Sequence, residues 1–90
     1  MRKTKGKRVQ FTFSAEPASW VYVAGTFNDW DPERNRMRSN PGTGEYRTSL
    51  VLPPGRHEYK FVVNGEWHVD PNCADWVPNS HGSLNSVICV

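Results

Sequence analysis

Two tryptophans, Trp30 and Trp67, stand outside the apolar alternation that would bury them, and Lys60 falls within reach of the second. An indole outside a core presents a flat apolar plate, the shape that covers the C–H face of a sugar ring. At ~25 cal/mol per Å², a covered face of ~50 Å² contributes roughly 1 kcal/mol. A lysine beside the plate adds N–H donors for hydroxyls. Residue types in this pattern point to noncovalent recognition of a carbohydrate surface.

Reactive chemistry finds less support. Glycoside hydrolysis needs two carboxylates ~5–9.5 Å apart across a cleft, with one pKa raised by its surroundings. The chain has nine acidic residues in 90, none in an apolar setting, and is too short for a second lobe to wall off a cleft. His57, His68 and His81, with the distant Cys73 and Cys89, lack metal-ligand spacing. Gly42 and Gly44 are not followed by the Gly-Lys-Ser/Thr of a phosphate loop. The expectation is a binding protein with no catalytic residues, no cofactor and no metal.

Five of the eleven basic residues, Arg2, Lys3, Lys5, Lys7 and Arg8, sit at one end, which leaves residues 9–90 with a net charge of −3. Nucleic-acid binding wants basic residues over a folded face, so residues 1–8 read as a basic, flexible, solvated tail and nucleic acid is not expected as a partner. No apolar h-region follows them and no run approaches the ~20 apolar residues of a membrane span. A cytoplasmic protein that keeps away from membranes is expected, with its two cysteines reduced.

The elements that must position Trp30 and Trp67 follow from alternation and turn residues. Arg8 to Phe13 reads as a first strand, Trp20 to Ala24 as a second that Gly25 ends, a short one lies near Met37, and Glu45 to Leu52 is clearer. Trp30 falls on the turn-rich loop 28–36, where a tryptophan serves equally as a sugar plate or as a lid over the core. Asn40-Pro-Gly-Thr-Gly44 and Pro53-Pro-Gly55 are turns, residues 70–82 read as a loop, and Leu84 to Val90 is the last strand.

Asn64-Gly65 between Arg56–Val63 and Glu66–Val69 is a strong two-residue type I′ hairpin signal. That loop sets the register: Val63 faces Glu66, Val62 faces Trp67 and Lys60 faces Val69. Lys60, Val62 and Trp67 then share one face, while Tyr59, Phe61 and Val63 make the core face. The same parity sends His68 inward, to a hydrogen-bond partner or past the end of the core. About seven short antiparallel strands without a helix predict an all-β, immunoglobulin-like sandwich over residues 9–90, with a small closed barrel as the other arrangement.

Val21-Tyr-Val-Ala-Gly-Thr-Phe-Asn-Asp-Trp30, Leu52-Pro-Pro-Gly-Arg-His-Glu-Tyr-Lys-Phe-Val-Val-Asn-Gly-Glu-Trp67, Asp70-Pro71 and Asn85-Ser-Val-Ile-Cys-Val90 occur in the order of a known family. Together they resemble the glycogen-binding domain of the AMP-activated protein kinase β subunit, of carbohydrate-binding module family 48, the isoamylase N-terminal or early-set domain. The resemblance implies that Trp30 and Trp67 stack on glucose rings of α-1,4-linked glucan and that Lys60 and Asn85 bond to its hydroxyls. Where that family has a clamping leucine and a bonding threonine, this chain has His81 and Ser83, the remaining two site residues implied. Residues 75–79 look more like small bacterial early-set proteins.

The expected function is noncatalytic binding of glycogen, starch-like polymer or maltooligosaccharide, with α-glucan as partner and a glycogen-metabolising enzyme or kinase subunit as the attached protein. The alternative is a sugar-blind module that packs on a catalytic or kinase subunit, because exposed aromatics serve protein interfaces equally well.

Overall fold

Alternating apolar residues build two sheets that face each other. The computed structural model describes residues 6–39 and 42–90. They form nine strands: β1 (Lys7–Ser14), β2 (Val21–Gly25), β3 (Asn35–Arg36), β4 (Arg38–Ser39), β5 (Glu45–Leu52), β6 (Arg56–Val63), β7 (Glu66–His68), β8 (Trp76–Pro78) and β9 (Leu84–Cys89). The small sheet has the order β1-β5-β4, and the large one β3-β2-β6-β9-β8 with β7 also paired to β6; all pairings are antiparallel.

Phe11, Tyr46 and Leu52 of the small sheet meet Val21, Val23, Tyr59 and Phe61 of the large one, and all seven are buried. The Phe11 and Tyr59 rings meet edge to face at 5.0 Å, a favourable aromatic geometry. The chain crosses between the sheets at Met37, 1% exposed, whose N–H donates to the Val21 carbonyl at 2.7 Å. That crossing is why the strand expected near Met37 is two short ones, β3 in the large sheet and β4 in the small. The architecture is the expected all-β sandwich.

Several expectations are corrected. Lys7, assigned to the tail, opens β1, and Arg8, counted both in the tail and in the first strand, belongs to the strand, because their backbones pair with Leu52 and Val51; residues 1–5 lie outside the described residues. So do Asn40 and Pro41 of the expected turn, of which Gly42 and Gly44 both carry positive φ. Residues 70–82 are not all loop, since Trp76–Pro78 pairs with β9, with Pro78 on a sheet edge where its missing N–H costs no ladder bond.

The β6–β7 hairpin has the expected register, Val63↔Glu66, Val62↔Trp67 and Phe61↔His68, around Asn64 and Gly65 at φ 50° and 87°. Its ladder stops there, so the pair Lys60–Val69 does not form. His68 shares the core face but lies at its end: its ring sits 5.8 Å from that of Phe13, and its Nε2 lies 3.7 Å from Glu66 Oε1 near solvent.

Candidate functional site

Trp30 is placed by a loop that a single amide organises. Buried Asn28 accepts from the Gly25 N–H at 3.0 Å through Oδ1, and its Nδ2 donates to the Val23 carbonyl and to Asn35 Oδ1. Asp29 and Trp30 follow, both at φ 58°, and the Trp30 N–H donates back to the Gly25 carbonyl at 2.9 Å. Two consecutive non-glycine residues in the left-handed region cost roughly 1–2 kcal/mol each, so the Asn28 bonds must hold the indole in place. Gly25 allows β2 to approach β6 closely, because a Cβ there would meet the Glu58 carbonyl oxygen at 2.4 Å.

Trp67 comes from the hairpin, 44% exposed, with its ring centre 6.4 Å from that of Trp30 and the two planes 48° apart. Between these rings and the β8–β9 turn lies an open groove of about 750 Å³, lined by Trp30, Glu58, Lys60, Trp67 and the residues Asn79, Ser80, His81, Ser83 and Asn85. All six residues marked in the sequence, Trp30, Lys60, Trp67, His81, Ser83 and Asn85, therefore meet on one surface.

Lys60 is set deep in this surface. It is only 8% exposed, and its Nζ donates to Ser83 Oγ at 2.6 Å. An ammonium has three N–H donors, so two remain for a ligand in the groove. Asn85, 7% exposed, is also held from both ends: its Nδ2 donates to Glu58 Oε1 at 3.0 Å and its Oδ1 accepts from Asn79 Nδ2 at 2.9 Å. The other oxygen of Glu58 accepts from Arg56 Nη1 at 3.0 Å.

Glu58, Asn79 and Ser80 were missed from sequence. Glu58 stands two residues before Lys60 on β6, so strand parity alone was a signal for it. Asn79 shapes the turn: its Oδ1 accepts from the His81 and Ser83 N–H groups at 2.9 and 3.1 Å, an Asx-type loop that presents both side chains to the groove. On the core side, the Tyr59 hydroxyl donates to Asp70 Oδ2 at 2.7 Å, and the Asp70 N–H donates to Ser86 Oγ at 2.9 Å. Burial, and then the bond to Asp70, push the Tyr59 phenol well above its usual value. This pair anchors the chain leaving β7 to β9.

The groove can bind but shows no activated nucleophile or acid–base pair, and among the described residues no cluster of His, Cys, Asp or Glu fits a metal ion. Cys73 and Cys89 are separate free thiols. Residues 7–90 match the family described as the glycogen recognition site of AMP-activated protein kinase. The chain is 41% identical over 64 residues to Protein FLOURY ENDOSPERM 6, chloroplastic, of Oryza sativa subsp. japonica, covering 71% of this chain and 12% of that protein. It is 33% identical over 76 residues to the 5'-AMP-activated protein kinase subunit beta-2 of Homo sapiens, covering 84% and 26%. It thus spans about an eighth to a quarter of these relatives. Among solved structures, enterochelin esterase from Shigella flexneri matches with a TM-score of 0.73 over 98% of this chain and 31% of that one; at 15% identity the likeness is one of fold alone.

Proposed function

The chain belongs to the family of the glycogen recognition site of AMP-activated protein kinase, and from that premise we propose that it is a noncatalytic module that docks α-1,4-linked glucan in the Trp30–Trp67 groove. The observation that carries this reading is the convergence of two tilted indoles with donors and acceptors already fixed by the protein. Trp30 and Trp67 cover sugar rings; Lys60 and Asn85 use their remaining hydrogen-bonding capacity on hydroxyls; Ser83 orients Lys60. His81 borders the same groove with its imidazole in place of an aliphatic clamp.

Preorganisation is what the geometry contributes. Lys60 and Asn85 are held before ligand arrives, so less rotamer entropy is lost on binding than for mobile side chains. Two stacked rings and a few exposed hydrogen bonds correspond to about −4 to −7 kcal/mol, a Kd of roughly 1 mM to 10 µM. Affinity of that order suits a tether on a polymer with many sites, where effective concentration adds to a weak contact. The attached protein is then a glycogen-metabolising enzyme or a kinase subunit, a reading supported by the much longer relatives.

Titration of tryptophan fluorescence with maltoheptaose, with cellohexaose as the linkage control, tests the proposal. A saturable change with maltoheptaose alone supports it. Silence with both sugars overturns it in favour of a sugar-blind module that meets a protein partner.

A further inference from the structure

Trp20 takes no part in the groove yet is 54% exposed. The strand register puts it on the same side of the large sheet. Tyr22 pairs with Arg36 on one side and Val62 on the other, and Val62 pairs with Trp67, which makes one row, Arg36–Tyr22–Val62–Trp67. Residues directly opposite one another project from the same face, and at ~4.8 Å per strand the row spans roughly 14 Å. Trp20 has the parity of Tyr22, and the Arg36 guanidinium lies 4.2 Å from the centre of its ring. Its backbone is tied to the hairpin: the Trp20 N–H donates to Asn64 Oδ1 at 2.9 Å, and the Asn64 N–H donates to the Trp20 carbonyl at 2.8 Å.

We propose that Trp20, backed by Arg36, is a further sugar-stacking station that takes the continuation of an α-glucan chain leaving the groove across Trp67 and Tyr22. The proposal rests on the groove being an α-glucan site. Stacked guanidinium fixes the plane of the indole, so the ring enters binding already ordered. Trp20 remains exposed beside that contact, leaving ring surface to cover a pyranose face, and the N–H groups of a guanidinium are donors for its hydroxyls. Continuity of the row with Trp67 is what selects the glucan chain as occupant. A chain too short to cross the row should not sense Trp20, whereas a protein partner would bind there whatever the sugar length.

Calorimetric titration of the chain and its variants with maltotriose and maltoheptaose tests this. Trp20→Ala is expected to leave maltotriose affinity unchanged and to weaken maltoheptaose about fivefold, with Trp20→Tyr recovering most of the loss. In the unmutated protein, the Trp20 indole N–H resonance should shift with maltoheptaose and stay in place with maltotriose. Unchanged maltoheptaose affinity in Trp20→Ala, an equal proportional loss for both sugars, or an unmoved resonance at saturation would each overturn the station. If Trp67→Ala abolishes binding while Trp20→Ala matches the parent protein, the groove stands and the station falls. A parent protein that binds neither sugar overturns both.

Discussion

The rings of Trp30 and Trp67 lie 6.4 Å apart with their planes inclined at 48°. Two plates at that angle do not suit a flat ribbon of sugars, but they suit a chain whose successive rings turn, as α-1,4 linkage makes them do. The tilt comes from different elements: Trp30 is fixed by the left-handed residues after the Asn28-organised turn, Trp67 by the hairpin register. The inclination is thus set by two local structures, the loop that follows β2 and the β6–β7 hairpin, held side by side because β2 pairs with β6.

Trp67 is the cleaner of the two to remove. Being 44% exposed on a hairpin that passes the end of the core, it contributes little to the fold, and Trp67→Ala should shift unfolding by no more than about 1 kcal/mol. Maltoheptaose affinity should fall at least about tenfold. Thermal melts together with calorimetric titration read the two effects separately; a variant that unfolds would place Trp67 in the core and sink the platform.

Ser83 acts through Lys60. Deleting its hydroxyl removes the acceptor 2.6 Å from Nζ, so Ser83→Ala should weaken glucan binding about threefold by freeing the ammonium to adopt other rotamers. Lys60→Met keeps the apolar stem packed and removes the donors, with an expected loss of about tenfold in affinity and little loss of stability. Equal affinities for Ser83→Ala and the parent protein would show that Lys60 needs no positioning.

Asn79 supports the opposite wall. Its amide joins His81, Ser83 and Asn85, so Asn79→Ala should destabilise the protein by about 1–2 kcal/mol and weaken glucan binding as well, because Asn85 loses one of its two fixings. Denaturant melts and titrations measure both. A loss of stability with affinity unchanged would make Asn79 a turn former only.

How much of this was readable in the sequence depended on how local each cause is. Asn64-Gly65 sets two adjacent backbone conformations, and with them the pairing of Val62 with Trp67, so that part of the platform follows from a few neighbouring residues. β8 does not: Trp76-Val-Pro is too short and too close to turn formers to signal a strand, and it pairs only because β9 offers an edge, with the Val87 N–H also donating to the Asp75 carbonyl. The deep setting of Lys60 escaped for the same reason, since the hydroxyl that takes its Nζ belongs to Ser83, 23 residues later in the chain. The division of the Met37 segment between two sheets likewise depends on the Val21 carbonyl, 16 residues away.

Alkaline pH should weaken the fold through Tyr59. Burial and the Asp70 carboxylate raise its phenol in the folded protein, while an unfolded tyrosine ionises near pH 10. The group's stabilising contribution is then complete below about pH 10 and declines above it, because only the unfolded chain releases the proton there. Linkage gives a slope of about −1.4 kcal/mol per pH unit once the unfolded tyrosine is ionised. Tyr59→Phe should be less stable at neutral pH by about 1–3 kcal/mol, since Asp70 loses a charge-assisted bond, but its stability should fall less steeply above pH 10 by one proton's worth. Urea unfolding of both proteins between pH 9 and 12 measures the two slopes. Parallel lines would mean that the Tyr59 proton is not retained on folding and that the anchor between β7 and β9 does not depend on it.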